Sequence, residues 1–184
     1  MLKKISDWIY ERAHGRLVLL FFGLQILFTA FILPYFQEQF QPEGSTELLD
    51  LKFGFDTTTA FQLLDSYGEV GRSVYLQFES IWDVLFPLVY TLFNILFISF
   101  LLRKTFPENT KLRLLNLLPL LNMTFDFGEN FGIVKLLGEF PNLSDFWVNF
   151  ASTSGVIKWV FSGIGIGVTL VLLLSWLTKA VRRR

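Results

Sequence analysis

The stretch FESIWDVLFPLVYTLFNILFISF, residues 78–100, is apolar enough to cross a bilayer, yet it carries two carboxylates near its start. About 20 apolar residues span the hydrocarbon core, so a transmembrane helix is predicted here, within a longer apolar run from Tyr75 to Leu102. A charged side chain near the bilayer centre costs about 2.5 to 3.5 kcal/mol, and such residues usually mark pathways, relays or ligand sites. Glu79 and Asp83 therefore indicate a functional site.

Three further apolar runs are long enough to span a membrane. The predicted spans cover residues 17–36, 75–102, 112–137 and 156–181. The composition is that of a membrane protein, since 52% of the 184 residues are hydrophobic, 22 are Phe and the mean hydropathy is +0.48. The sequence predicts an all-α polytopic protein with four transmembrane helices in one bundle, residues 17–181, and an external loop, residues 37–74.

Basic residues concentrate at alternate ends of these spans. Twelve of the 16 Lys and Arg lie there: Lys3, Lys4, Arg12, Arg16, Arg103, Lys104, Lys111, Arg113, Lys179, Arg182, Arg183 and Arg184. The opposite ends carry the acids Glu38, Glu43, Glu47, Asp50, Asp56, Asp65, Glu69, Glu139 and Asp145. The positive-inside rule places both termini in the cytoplasm. A multi-pass protein of the cell membrane, of the bacterial inner-membrane kind, is expected.

Residues 1–16 form a predicted interfacial segment on the cytoplasmic side. Its apolar residues share one helical face: Leu2, Ile5, Trp8 and Ile9. The first span is not expected to be a cleaved signal peptide, because its apolar region is too long and Arg12 and Arg16 lie directly before it. His14, the only histidine, is expected to be solvated or interfacial, far from the buried acids.

The first loop contains a predicted amphipathic helix. Asp56 is a candidate N-cap, and Gly68 and Gly71 are expected to end the helical pattern. The apolar positions at helical spacing are Ala60, Leu63, Leu64 and Tyr67. Two interpretations remain open for this external helix: a lid over the polar site, or a surface helix that shields the end of the bundle.

The fourth span contains glycines within a continuous apolar run. Gly163 and Gly167 have the small-xxx-small spacing that lets helices approach closely, either inside the bundle or between copies in a homo-oligomer. A phosphate-binding loop is not indicated, because no strand precedes these glycines. The basic C-terminus is interpreted as an anchor near anionic lipid, so no nucleic-acid partner is expected.

Polar residues follow one face of each of two neighbouring helices. On the second helix they are Arg72, Tyr75, Glu79, Asp83, Pro87, Tyr90 and Asn94, and on the third they are Pro119, Asn122, Asp126, Glu129 and Asn130. The two helices are antiparallel and joined by a short turn, so these faces are expected to converge in the outer half of the bundle.

Few cations are available to balance these acids. Lys135 and Lys158 are expected to extend toward the membrane interface rather than to pair with buried carboxylates. Arg72 lies at the mouth of the predicted site, where it would pair with an acid or attract an anionic headgroup. Some carboxylates must therefore be protonated, solvated in a cavity or coordinated to a cation.

The residue types restrict what the site can hold. The chain has no Cys, and its only His is expected far from the buried acids. Only oxygen ligands are therefore available, and these suit Mg²⁺, Ca²⁺ or Mn²⁺. The candidate metal ligands are Glu79, Asp83, Asp126 and Glu129. No other cofactor is predicted. Paired carboxylates could also act as general acid and base, with Asp83 or Asp126 as base and Glu129 as acid. A structural hydrogen-bond network is the remaining alternative.

Three motifs carry a resemblance to a family. They are YGEVGRSVY at Tyr67–Tyr75, D-x-x-x-P-x-x-Y at Asp83, Pro87 and Tyr90, and FDFGEN at Phe125–Asn130. This pattern, over residues 57–141, resembles uncharacterised small bacterial four-helix integral membrane proteins. The resemblance implies the topology and the importance of these positions, but no activity. The architecture is also loosely similar to the sterol-isomerase and sigma-2-receptor superfamily, which binds sterol-like ligands between its helices.

The functional prediction is an intramembrane cavity, open to the outer face, that binds membrane lipid, another small amphiphile or a cation. The candidate ligand-binding residues are Arg72, Glu79, Asp83, Tyr90, Asn94, Asn122, Asp126, Glu129 and Asn130. A proton or cation transport component is one alternative, although the helices become almost entirely apolar on the cytoplasmic side of Asn94 and Asn116. A structural or assembly protein, in which the acids form a packing network, is another.

Overall fold

The computed structural model describes residues 1–40 and 47–182, and within these residues it is helical, with no strand. The α-helices are α1 (Leu2–Arg12), α2 (Gly15–Leu27), α3 (Leu33–Phe40), α4 (Thr57–Ser66), α5 (Gly68–Gln77), α6 (Asp83–Thr105), α7 (Leu118–Glu139) and α8 (Asp145–Arg182). Short 3₁₀ helices cover Leu49–Leu51 and Leu112–Leu117. The predicted charges at Glu43, Arg183 and Arg184 lie outside the described residues.

Two π-helical segments join α-helices into longer continuous helices. Phe28–Ile32 connects α2 to α3, and Phe78–Trp82 connects α5 to α6. A π-helical turn places one additional residue in the helix and shifts the register of the side chains that follow. The second of these segments contains Glu79 and leads directly into Asp83.

Three helices have the length and composition needed to cross a membrane: Gly15–Gln39, Gly68–Thr105 and Asp145–Arg182. Much of their apolar surface is uncovered by protein, for example at Leu19, Phe31, Ile166 and Val171. Since contiguous apolar surface of this extent is unfavourable in water, the chain is a membrane-spanning protein. α7, which corresponds to the predicted span 112–137, does not meet the same combined criteria of length, hydropathy and charge.

The helices extend beyond the predicted spans. The helix that contains the second span begins at Gly68, before Tyr75, so Gly71 is buried inside α5 and the prediction that it ends a helical pattern is wrong. Gly68 has a φ of 65°, which glycine adopts without a Cβ clash and which lets the chain turn sharply between α4 and α5. α8 begins at Asp145, about three turns before Val156.

The predicted helix after Asp56 is present as α4. The Asp56 side chain accepts a hydrogen bond from the Thr59 amide at 2.7 Å, which caps the helix and holds the pKa of this carboxyl below its usual value. Ala60 and Leu64 are fully buried against the neighbouring helices. α4 therefore packs on the end of the bundle with its apolar face, as the shielding interpretation requires.

α1 has an exposed apolar face and a separate face that packs against the rest of the protein. Ser6 and Tyr10 are buried there. The Asn116 amide donates to the Ser6 carbonyl at 3.1 Å, and Arg113 lies over the Tyr10 ring and pairs with Asp7 at 3.2 Å. The apolar face with Leu2, Ile5 and Trp8 is left exposed, as expected for a helix at a membrane interface. His14 is exposed, as predicted.

Two apolar clusters lie toward opposite ends of α6, α7 and α8. The loop-side cluster contains Leu49, Ala60, Leu64, Tyr67, Tyr75, Phe78, Ile133, Leu136, Val148 and Ala151. The N-terminal cluster contains Tyr10, Ile98, Leu101, Leu102 and Leu172. On α6 the predicted site residues Asp83, Tyr90 and Asn94 precede the N-terminal cluster, and on α7 Asp126 and Asn130 precede the residues of the loop-side cluster.

α7 and α8 form an antiparallel hairpin with the most extensive helix contact among the described residues. Glycines allow the close approach: a Cβ on Gly132 would lie 2.6 Å from the Ala151 Cβ, and one on Gly128 would lie 3.0 Å from the Ser154 Oγ. Gly163 and Gly167 behave differently, because a Cβ on either would meet nothing within 4 Å. The prediction that these two pack inside the bundle is wrong, while packing between copies stays a prediction.

Candidate functional site

The proline in α6 leaves one backbone carbonyl of the helix without its usual partner. Pro87 has no N–H, so it cannot donate to the carbonyl of Asp83, four residues earlier. The Asn130 amide of α7 donates to that carbonyl instead, at 2.5 Å. Two motifs that lie far apart in the sequence, D-x-x-x-P and the last residue of FDFGEN, are thereby joined by a single contact.

A chain of hydrogen bonds connects α6, α7 and α8. The Tyr90 hydroxyl donates to Asp126 Oδ2 at 2.6 Å, and it accepts from the Asn122 amide at 3.1 Å. Asn122 Oδ1 in turn accepts from the Ser162 hydroxyl at 3.0 Å. Asn94 donates to the Tyr90 carbonyl at 2.8 Å. The predicted convergence of the polar faces of α6 and α7 is therefore observed at Tyr90 and Asp126.

Lys158 is the cation of the site, which corrects the prediction that it extends to the membrane interface. Its Nζ lies 3.3 Å from Asp126 Oδ1, and it forms a second ion pair with Glu129, whose carboxylate makes no hydrogen bond of good geometry. It also donates to the Asp50 carbonyl at 3.2 Å. The Lys158 side chain is only 11% exposed. Lys135 is exposed, as predicted.

Gly155 makes room for the Glu129 carboxylate. A Cβ at position 155 would collide with Glu129 Oε1 and would lie 2.8 Å from its Cδ. Gly155 is buried and lies on α8 opposite Glu129. The absence of a side chain at this one position therefore lets a buried carboxylate enter the α7–α8 contact and reach Lys158.

A cavity of about 350 Å³ lies beside these contacts, between the helices. Its polar wall contains Asp50, Asp83, Tyr90, Asn94, Asn122, Asp126, Lys158 and Ser162. Its apolar wall includes Leu33, Phe86, Ile98, Trp159, Phe161 and Ile166. The described loop residues at this cavity are Asp50 and Leu51, whereas no residue of α4 lines it, so of the two interpretations of α4 the shielding helix is favoured over the lid.

A second group of acids lies at one end of the cavity. Carboxylate oxygens of Asp50, Glu79 and Asp83 all lie within 4.8 Å of one another. The Tyr75 hydroxyl donates to Asp50 Oδ1 at 2.7 Å, which fixes Asp50 on the helix that carries the other two acids. The five carboxylates of the region are thus divided into a pair held by Lys158 and a group of three.

The structure brings most of the predicted site residues together, but not all in one cavity. Glu79 and Asn130 line a second, mostly apolar cavity between α6 and α7. Arg72 forms no ion pair with any described acid, so the alternative in which it pairs with an acid is wrong, while attraction of an anionic headgroup stays a prediction. The Arg72 guanidinium donates to the Leu64 carbonyl at 2.9 Å and lies over the Phe140 ring.

Sequence reasoning missed Lys158, Asp50 and Ser162. A signal for Lys158 exists, because Asp126 and Lys158 lie equally far from Asn142 in the turn of the α7–α8 hairpin, so an antiparallel pair brings them face to face. Asp50 offers no such signal. It is one of several acids in a loop, and only the path of that loop places it beside Glu79 and Asp83.

No protein-family model matches this chain, and no match was found among curated proteins or solved structures. Function must therefore be inferred from the geometry and chemistry of the polar site.

Proposed function

We propose that this protein binds a small amphiphile with a cationic or hydrogen-bond-donating headgroup in the cavity between its helices. In this proposal it is a multi-pass protein of the cell membrane, of the bacterial inner-membrane kind, with four spans and both termini in the cytoplasm. α7 is the span that completes the four, third in chain order, because its 22 residues are long enough to cross the hydrocarbon core and it packs along both α6 and α8.

The observation that carries the proposal is the amphipathic lining of the cavity. Three carboxylates and one ammonium group contact it, and that ammonium, Lys158, is already occupied by Asp126, Glu129 and the Asp50 carbonyl. The Tyr90 hydroxyl hydrogen is donated to Asp126. The carboxylate of Asp83 accepts no hydrogen bond from any described residue, so it is a charged acceptor available to a headgroup. The Gln25 Oε1 atom, which also belongs to a lining residue, is a neutral acceptor without a described donor.

The apolar wall suits a hydrocarbon tail. Phe86, Trp159, Phe161 and Ile166 form a surface on which a tail is removed from water and lipid alike. The volume of about 350 Å³ is at the small end of the usual range of ligand cavities. A single-chain amphiphile is therefore a better candidate than a two-chain phospholipid.

A transport pathway is less well supported than a binding site. The N-terminal cluster lies between the cavity and the end of the bundle where α1 is docked, and its members Leu101 and Leu102 are almost completely buried. Conduction of protons or cations needs polar groups or water along the whole path. The apolar side chains of the N-terminal cluster provide no polar groups along such a path.

Trp159 provides a direct test, because it lines the cavity. We expect a brominated dodecylamine to quench the fluorescence of the purified protein saturably, and brominated lauric acid, the anionic equivalent, to quench only by partitioning. Asp83→Asn should weaken the amine affinity by about tenfold, which corresponds to about 1.4 kcal/mol for one charge-assisted hydrogen bond. Quenching that is identical for both amphiphiles, or unaffected by Asp83→Asn, would contradict the proposal.

Two substitutions on α8 form a matched pair for the same measurement. Gly165 lines the cavity, and a Cβ there meets nothing within 4 Å, so Gly165→Leu should fill the cavity and abolish saturable quenching. Gly163 also has open space around it but lies on the outer surface, so Gly163→Leu should leave quenching unchanged. If Gly163→Leu alters the oligomeric state, the proposed homo-oligomer contact at Gly163 and Gly167 gains support.

The proposed topology is testable because the chain contains no cysteine. Gln62→Cys, on exposed α4, should react with a membrane-impermeant maleimide in intact cells. Glu108→Cys, in the turn after α6, should react only after lysis, because the basic residues around it place that turn in the cytoplasm. The reverse labelling pattern would invert the topology, and equal labelling of both sites in intact cells would contradict the four-span arrangement.

A further inference from the structure

The acids of this region differ in whether a protein cation is available to them. Asp126 and Glu129 share Lys158, and the third close contact of its ammonium group is the Asp50 carbonyl. An ammonium group has three hydrogens to donate, so Lys158 has no further donor for the side chains of Asp50, Glu79 or Asp83. Their combined negative charge needs another source of compensation.

Glu79 is the residue that most clearly lacks a partner. Its side chain is 1% exposed, and neither of its carboxylate oxygens has a hydrogen bond of good geometry with any described residue. The neighbouring Tyr75 hydroxyl donates to Asp50 Oδ1. A buried carboxylate without a donor is strongly unfavourable, so a bound positive species is the simplest way to account for a carboxylate held in this position.

The spacing of the oxygens allows one cation to contact all three residues. Each of the three residues offers an oxygen within 4.8 Å of the other two. Ca²⁺ binds oxygen ligands at about 2.3 to 2.6 Å in a flexible geometry, whereas Mg²⁺ requires about 2.0 to 2.1 Å and near-ideal octahedral coordination. Ca²⁺ therefore places the weaker demand on the arrangement of the three side chains.

We propose that Asp50, Glu79 and Asp83 bind one Ca²⁺ ion, with water or backbone oxygens completing its coordination. The metal ligands differ from those expected from the sequence: Asp50 is included, and Asp126 and Glu129 are excluded because both are already paired with Lys158. The ion would join the 3₁₀ turn Leu49–Leu51 to the π-helical segment Phe78–Trp82. It would thereby fix the loop residues that line one end of the amphiphile cavity.

Tb³⁺, a luminescent substitute for Ca²⁺, provides the test, because Tyr75 and Trp82 lie close enough to the three acids to sensitise it. The purified full-length protein should show saturable Tb³⁺ luminescence that Ca²⁺ displaces more effectively than Mg²⁺. Glu79→Gln and Asp83→Asn should each weaken Ca²⁺ competition by about 10- to 100-fold or more. Each should also unfold at an equal or higher temperature than the metal-free wild type, because one repelling charge is gone.

Asp126→Asn is the matched control, since it removes a neighbouring carboxylate that is paired with Lys158. It should leave Ca²⁺ competition unchanged. The proposal is overturned if the wild type shows no Tb³⁺ signal that Ca²⁺ displaces, or if Asp126→Asn reduces the signal as much as Glu79→Gln does. A lower unfolding temperature of Glu79→Gln without metal, together with unchanged Ca²⁺ competition, would also overturn it.

This proposal can fail independently of amphiphile binding. Glu79 does not line the amphiphile cavity, so Glu79→Gln should lose Ca²⁺ competition and keep saturable quenching by the brominated amine. Gly165→Leu should keep Ca²⁺ competition and lose saturable quenching. Asp83 contributes to both proposals, with one carboxylate oxygen for the ion and the other for the headgroup, so Asp83→Asn should weaken both properties. The loss of both properties in Glu79→Gln and in Gly165→Leu would contradict a Ca²⁺ site that is distinct from the amphiphile cavity.

Discussion

Replacing Lys158 with Met should destabilise the protein by about 3 to 5 kcal/mol, the usual cost of removing one partner from a buried ion pair. Lys158 is the only described cation that pairs with Asp126 and Glu129, and Glu129 is fully buried. Without it, two carboxylates face each other in a low-dielectric site and must either take up protons or move. The measurement is the free energy of unfolding of the purified protein, or its thermal midpoint in detergent.

Neutralising the acids should rescue this variant. In Lys158→Met with Asp126→Asn and Glu129→Gln, no unpaired charge remains, and replacing a whole buried ion pair by neutral groups is often nearly neutral in stability. Lys135→Met is the control, because Lys135 is exposed over Phe131 and Trp147 and forms no ion pair. A comparable loss of stability in Lys135→Met, or no rescue in the triple variant, would show that Lys158 stabilises the protein in some other way.

The second large effect is expected at the α7–α8 contact. A Cβ on Gly132 would lie 2.6 Å from the Ala151 Cβ and 3.0 Å from its Cα, and backbone atoms cannot move aside as a flexible side chain can. Gly132→Ala should therefore separate the helices and cost about 1 to 3 kcal/mol, the usual range for overpacking. Gly155→Ala should displace the Glu129 carboxylate from Lys158 and have a similar effect, measured in the same unfolding experiment.

Gly163→Ala and Gly167→Ala are the matched controls. Both positions lie on α8 and have open space where a Cβ would be. They should be neutral or stabilising by up to about 1 kcal/mol, because alanine favours a helix more than glycine does. If all four substitutions have the same effect, intrinsic helix propensity rather than close packing explains the glycines of these helices.

Two of the three motifs that carry the family resemblance, D-x-x-x-P-x-x-Y and FDFGEN, are joined by contacts that the sequence does not display. Pro87 leaves the backbone carbonyl of Asp83 without its usual donor, and Asn130 supplies the missing donor. Tyr90 and Asp126 are joined by a direct hydrogen bond. The predicted importance of these positions therefore has a physical basis, while membership in that family stays a prediction.

The sequence by itself determined the helical, membrane-spanning character of the chain and the polar faces of two helices. Hydropathy and helical periodicity are local properties, and they are read from neighbouring residues without knowledge of the fold. For the same reason the sequence indicated that the polar faces of α6 and α7 converge, since a short turn makes the two helices antiparallel neighbours. The N-cap at Asp56 followed from equally local chemistry.

Only the tertiary structure decided which charges meet. The partnership of Lys158 with Asp126 and Glu129 depends on the rotation of α8 against α7, which Gly132 and Gly155 set by allowing close approach. The position of Asp50 beside Glu79 and Asp83 depends on the path of a loop and on the π-helical shift in register before α6. Electrostatic interactions act through space, so their partners are determined by how the helices pack rather than by spacing along the chain.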